Sequence, residues 1–446
     1  MKTLFYPFLI LLLFAGACKK TRNNNKNNYN NSSLIPSSSG WTKVASIANL
    51  KAVSGLPGGY AMTPYDLAVV DGQLALLYSE DYKLSGVQGH RVYKVKFTPG
   101  GTLPASIPLQ RGGWNFSYVS RFIPESFTTV YMKLNYTNSI YEALIYTDDA
   151  GPIAGNNLGY STPGIWPINW YADGGLTMSV RDAGPANGNL AYTFSYTFPN
   201  PGNFQVEVNQ WSLDSTSWRT CDALRLSGGA INQLIISEKN DQVYFSIIKQ
   251  DATAPPQHSF STLLRQEMTE LNGAKFGGNS VIASTVVNDK YTVLVGEVDG
   301  TAITKVHCYQ WQNGSNQFTK LYGDVSVPED VGRQLMSRAT IGVRPIEGAD
   351  AAVKFTPDGT AYMLFSYVPT NTSDPDKYTA LATFNASGTK ITGKYTSTNN
   401  GDYEQFGLTT CQYFNGAYYA VVYQKRELIY DIDDPKFRLE IVKINP

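Results

Sequence analysis

The side chains best suited to recognition in this 446-residue chain are aromatics and arginines set in Gly/Pro-rich or irregular segments: Trp114, Tyr160 and Trp166, with Arg111, Arg333, Arg338 and Arg344. Glu347, Lys394 and Glu404 add polar groups of either sign to the set. Such a mixture suits a sugar, whose C–H face packs on an aromatic ring while its hydroxyls take hydrogen bonds. Aromatic and Arg side chains are equally the usual anchors of protein interfaces. Arg333, Arg338 and Arg344 could gather around an anion or stand as a solvated charged loop. Trp114 and Trp166 also suit wedges between neighbouring sheets.

Other chemistry is sparse. The three histidines, His90, His258 and His307, lack the spacing of a metal motif such as HExxH. His307 alternates within an apolar run, which assigns it a structural role. The acidic runs DIDDP (Asp431, Asp433, Asp434) and SDPD (Asp374, Asp376) offer oxygen atoms but follow no calcium-loop pattern. There is no GxSxG elbow and no phosphate loop. No metal site and no cofactor are expected, and catalytic carboxylates would have to converge from separate loops.

Composition narrows the class of partner. Lys+Arg and Asp+Glu are equal at 36 each, so the Lys/Arg excess that nucleic-acid phosphates require is missing. With 42% hydrophobic residues, 13% aromatic, 30 Tyr and only 16% charged, the chain can build a large core and leans toward strands.

The positioning elements show as internal repeats. An alternating apolar run, a tight polar turn and a second alternating run recur seven times: LAVVDGQLALLYS from Leu67, YVSRFIPESFTTVYMKL from Tyr118, INWYADGGLTMSV from Ile168, LIISEKNDQVYFSII from Leu234, VIASTVVNDKYTVLVG from Val281, AVKFTPDGTAYMLFSY from Ala352 and TCQYFNGAYYAVVYQ from Thr410. The turns recur about every 57 residues. Asp-Gly, Asn-Gly and Asn-Asp dipeptides tolerate the positive φ that hairpin turns demand. A third strand follows each hairpin, from Arg91, Ile140, Phe204, Phe260, Ile303, Tyr378 and Phe437. Trp218–Leu224 and Phe318–Tyr322 read as fourth strands of the third and fifth units.

Four strands in each of seven units describe an all-β, seven-bladed β-propeller. Its last unit ends after three strands, and Trp41–Ile47 resembles the fourth strands of other units. Pairing of 41–47 with Phe437–Ile444 is therefore expected to close the ring and remove open sheet edges. Competing arrangements are two β-sandwiches, or six or eight blades, because residues 182–203 could hide a hairpin. One helical stretch is expected around Asp330–Ala339. The long connections, including 80–90, 152–166, 249–257 and 324–350, are expected on one end of the ring, making that end the working face. Cys221, Cys308 and Cys411 then fall in the third, fifth and seventh units, too far apart to bridge.

The first residues, MKTLFYPFLILLLFAGAC, place one Lys before an apolar run too short to span a bilayer, which reads as a signal peptide. The segment Ala15-Gly16-Ala17-Cys18 resembles the lipobox of bacterial lipoproteins, and the CKK start with its Asn-rich sequel resembles those of Bacteroidetes-type bacteria. The resemblance implies cleavage before Cys18, lipidation of its thiol, and attachment to the outer membrane, with the leaflet left open. Residues 1–17 are then the leader, 18–40 a polar tether of disordered composition, and 41–446 the folded domain. SLDSTSW from Ser212 is similar to a sialidase Asp box but is short by one residue and lacks its Gly.

The expected function is an extracytoplasmic, membrane-anchored binding module whose partner is a glycan or an envelope protein. The alternatives are a carbohydrate-active hydrolase or lyase at the channel mouth, and a scaffold of an outer-membrane complex.

Overall fold

The computed structural model describes residues 41–446 apart from 49–58, 85–86, 109–119, 123–125, 138–139, 148–153, 158–162, 171–175, 183–189, 197–210, 213–216, 227–229, 252–259, 274–279, 342–352, 368–377, 397–402, 405–409 and 427–436. The leader and tether, with Cys18, lie outside the described residues.

The described strands form seven antiparallel sheets that follow one another along the chain. The first contains Gly59–Val70, Gln73–Leu84, Val87–Phe97 and Ile107–Pro108. The second contains Ser120–Phe122, Thr129–Thr137, Ile140–Thr147 and Ala154–Asn157. The third contains Pro163–Trp170, Leu176–Asp182, Leu190–Tyr196 and Trp211–Ser212. The fourth contains Ser217–Arg225, Ile231–Lys239, Gln242–Gln250 and Phe260–Glu267. The fifth contains Val281–Val287, Lys290–Asp299, Ala302–Gln312 and Thr319–Ser326. The sixth contains Lys354–Phe355, Ala361–Tyr367, Tyr378–Asn385 and Gly388–Thr396. The seventh contains Cys411–Phe414, Ala417–Arg426 and Phe437–Ile444, with Tyr403–Glu404 paired on Ala417–Arg426.

The outermost strand of the seventh sheet is Trp41–Ala48, which runs antiparallel to Phe437–Ile444 from Trp41 opposite Ile444 to Ala48 opposite Arg438. The two ends of the folded chain thus share one ladder, as the sequence suggested.

Turn chemistry explains the hairpins. Asp71-Gly72, Asn240-Asp241, Asn288-Asp289 and Asn415-Gly416 all have positive φ at both central residues, the backbone of a tight turn that matches strand twist. Where their side chains are described, middle strands are apolar on both faces because a sheet packs on each side of them. In the fifth sheet, Tyr291, Val293 and Val295 pack with the fourth, while Leu294 packs with the sixth. In the first sheet, Leu74, Leu76 and Tyr78 face the seventh, while Ala75 and Leu77 face the second.

The sixth and seventh sheets meet through Tyr362 and Tyr418, whose rings lie 5.0 Å apart, and through the Tyr413 N–H, which donates to Tyr362 Oη at 2.9 Å. The first strands of the third and fourth sheets adjoin. Packing therefore runs without interruption from the third sheet through the seventh and on to the first and second. One helix, Glu329–Ile341, lies in the connection between the fifth and sixth sheets where a helix was expected. Its Val331 and Leu335 are buried among Ile303, Val306 and Met363. Among the described residues no helix is long and apolar enough to cross a membrane.

Three sequence expectations need correction. Between 190 and 267 the strand register is shifted: Leu190–Tyr196 is the third strand of the third sheet, and Ser217–Arg225 opens the fourth sheet instead of closing the third. The Asn240-Asp241 turn thus joins second to third strands, and the strands Gln242–Gln250 and Phe260–Glu267 are linked at the end of the first-to-second turns, so the expected 249–257 connection belongs to that end. Residues 80–90, expected as a loop, continue the first sheet: Gln73–Leu84 pairs with Val87–Phe97 out to Leu84 opposite Val87. Long connections consequently leave from both ends of the sheets, though the sheet-to-sheet links, 327–353 above all, keep to one end.

Candidate functional site

The first strands of four sheets bring polar groups to one place. Asp66, on the first strand of the first sheet, is only 7% exposed, and a carboxylate so buried needs partners. The backbone N–H of Phe122, on the first strand of the second sheet, donates to Asp66 Oδ2 at 3.1 Å. Lys354 comes from the first strand of the sixth sheet and sets its ammonium 3.9 Å from Asp66 Oδ1. That ammonium also donates to the Leu67 carbonyl at 3.1 Å and to Gln412 Oε1 at 3.2 Å. Gln412, on the first strand of the seventh sheet, donates in turn to the Tyr413 carbonyl at 3.1 Å.

Lys354 therefore bridges the sixth and first sheets past the seventh. Side chains of non-adjacent sheets meet in this way only where first strands converge. The ammonium thus holds two acceptors by hydrogen bonds and faces the Asp66 carboxylate as an ion pair, so the group acts as a fastener. Cys411 lies beside it. Burial pushes its thiol up to about 12 while the Lys354 charge pulls the other way, so the sulfur stays protonated and unreactive. The cluster sits toward the end of the Asp71-Gly72 and Asn415-Gly416 turns, the end expected to be a plain floor.

A second polar group lies on the fifth sheet near the helix-bearing connection. His307 is 1% exposed and uses both ring nitrogens: the Asp324 N–H donates to Nδ1 at 3.3 Å, and Nε2 donates to Glu297 Oε1 at 2.9 Å. This satisfies the structural role expected of it. Lys305 Nζ lies 3.6 Å from Glu297 and 3.7 Å from Asp324, and Lys320 Nζ 3.9 Å from Asp324.

The residues proposed from sequence are distributed as follows. Trp114, Tyr160, Arg111 and Arg344 lie outside the described residues, as do His258 and the DIDDP and SDPD runs. Trp166 falls on the first strand of the third sheet, Pro163–Trp170. Arg333 and Arg338 both fall on the helix Glu329–Ile341, where the exposed Arg333 guanidinium pairs with Glu329 one turn earlier. Cys221, Cys308 and Cys411 are all buried and form no disulfide, as expected. Cys221, however, belongs to the fourth sheet, because of the shifted register. Burial likewise pushes the Cys308 thiol up to about 12.

Sequence reasoning missed Asp66, Lys354 and Gln412, and it missed the grouping around His307. The first set is assembled from strands far apart in the chain, and the second from three consecutive strands whose register, not spacing, brings the side chains together. A lone Asp in the apolar alternation of YDLAVV was the one available signal.

No protein-family model and no curated protein matches the chain. Among solved structures it is similar to the β-propeller domain of the Trilobed protease from Pyrococcus furiosus, with a TM-score of 0.40 and 8% identity, covering 84% of this chain and 98% of that one. It is also similar to the acylaminoacyl peptidase of Pyrococcus horikoshii, with a TM-score of 0.31 and 9% identity, over 83% of this chain and 58% of the peptidase. A GH43 β-1,3-galactosidase gives a TM-score of 0.30 at 9% identity, over 64% of this chain and 61% of that one. Likenesses at such identities carry no residue and no activity across.

Proposed function

We propose that the chain is a lipid-anchored, extracytoplasmic binding module on a closed seven-bladed propeller, recognising a glycan or an envelope protein through its sheet-to-sheet connections. In this reading Cys18 carries the lipid, residues 18–40 are the tether, and the second and third sheets pack to complete the ring. The observation that carries the reading is how the convergence is used: Lys354 pairs with Asp66 and Gln412, and the group bonds to the neighbouring backbone. The group spends its charges on holding the first strands together, and recognition falls to the connections, which carry Trp114, Tyr160, Arg111 and Arg344 in the sequence. Supporting the anchor are the short apolar leader and the Ala15-Gly16-Ala17-Cys18 segment.

The test is a glycan array and a turnover screen on the chain without residues 1–40. Retention of a glycan without product, weakened by Trp114→Ala or Trp166→Ala in a protein that still folds, supports the reading. Catalytic release of product replaces it with the hydrolase or lyase alternative. Incorporation of labelled palmitate that Cys18→Ser abolishes tests the anchor separately.

A further inference from the structure

We propose that Glu297, His307 and Asp324 form a binding site for a divalent transition-metal ion of the zinc class, its place kept in the apo chain by the ammonium of Lys305. The three residues come from adjacent strands of the fifth sheet, Lys290–Asp299, Ala302–Gln312 and Thr319–Ser326. His307 stands opposite Val295 and Lys305 opposite Glu297, so Glu297 and His307 are diagonal neighbours on one face. The outer ladder is irregular beside His307, between Val306 opposite Val325 and Cys308 opposite Tyr322. Gly323 and Asp324 fill that gap, and Asp324 takes a φ of 54°. Irregularities of this kind re-aim a side chain, here the Asp324 carboxylate toward the imidazole. A Cβ on Gly323 would come within 2.8 Å of His307 Nδ1, so the glycine gives the ring its room.

One ligand atom from each residue lies within 4.8 Å of the other two. Zinc bonds of about 2.0–2.2 Å set ligand atoms a little over 3 Å apart, so the carboxylates need move by only about an ångström. They can. Glu297 and Asp324 side chains are 22% and 67% exposed, whereas the His307 side chain, at 1%, is fixed. An imidazole with two carboxylates and an open solvent side suits zinc better than calcium or magnesium, which take oxygen alone.

The position already attracts a cation. Lys305 Nζ sits 3.6 Å from one carboxylate and 3.7 Å from the other, on a side chain 43% exposed that can swing into solvent. Binding has a defined cost as well. The 2.9 Å contact between His307 Nε2 and Glu297 Oε1 is given up so that both atoms can face the metal. An occupied site would fasten the start of the connection that leads to the helix Glu329–Ile341.

The experiment is calorimetric titration of zinc chloride into the chelator-washed full chain in detergent, with thermal unfolding alongside. One zinc per chain is expected, with a melting temperature that rises with zinc. Glu297→Gln and Asp324→Asn, isosteric changes that keep hydrogen-bonding oxygens, should weaken binding at least tenfold and lose that rise. Lys305→Met should tighten it about fivefold, because the resident cation is gone. Absence of zinc uptake by the natural chain, uptake by the lysine variant alone, or affinity unchanged in both carboxylate variants overturns the proposal.

Discussion

Replacing Lys354 by Met removes the charge that joins the sixth and first sheets while keeping most of the buried stem. The structure fixes what is lost. The Leu67 carbonyl and Gln412 Oε1 each lose a charged donor, at roughly 1 kcal/mol apiece. The Asp66 carboxylate keeps the Phe122 N–H as a donor but loses its counter-charge in a mostly buried position. That adds about 1–2 kcal/mol, below the cost of breaking a fully buried pair because the 3.9 Å contact is loose. The expected destabilisation is about 3–4 kcal/mol, read as a shift of the urea midpoint by tryptophan fluorescence. Asp66→Asn in the same chain should recover at least 1 kcal/mol, since a neutral amide needs no counter-charge. A Lys354→Met loss below about 0.5 kcal/mol, or strict additivity in the double variant, would refute the idea that the convergence is held by this pair.

Four further outcomes are expected. Trp41→Ala should cost about 3–5 kcal/mol, because the ring is 2% exposed and its Nε1–H donates to the Thr392 carbonyl at 3.3 Å; Trp41→Phe should lose much less. Gly332→Ala, which would raise intrinsic helix propensity by about 1 kcal/mol, should instead destabilise by about 1–3 kcal/mol, since its Cβ would lie 2.1 Å from the Ile303 carbonyl oxygen. A thiol reagent at pH 8 should leave Cys221, Cys308 and Cys411 unmodified in the folded chain and label all three in urea, rapid native labelling being the contrary result. Asp358 is held below the usual carboxylate range, first by the Thr356 hydroxyl and also by the Thr360 N–H. Its contribution is present above the unfolded value near 4 and is lost as pH falls through the lower folded value, so Asp358→Asn should flatten the acid limb of a stability–pH curve.

The strands were legible wherever a tight turn carried its own signature. Asp71-Gly72, Asn288-Asp289 and Asn415-Gly416 each lie between alternating runs, and each proved to be a first-to-second turn. Asn240-Asp241 has the same chemistry but joins second to third strands, because a turn signals a hairpin and not its rank within a sheet. The rank is set by packing: Cys221 and Leu224 of Ser217–Arg225 bury against Leu234 and Ile236, and no local pattern records that choice. The pairing of Trp41–Ala48 with the last strand was legible because the seventh unit visibly lacked a member. The Asp66–Lys354 group was not. Its partners are 287 or more residues apart where Lys354 meets Leu67, and single polar residues in apolar runs are read as noise until the strands that carry them converge.

Because Trp41–Ala48, among the described residues, pairs only with Phe437–Ile444, the first described strand must wait for the last one. A ribosome delivers the amino-terminal part first, so throughout synthesis that ribbon has an unfilled place beside it. A stop between Arg426 and Phe437 would forfeit two strands for the loss of one, since Trp41–Ala48 would lose its ladder as well.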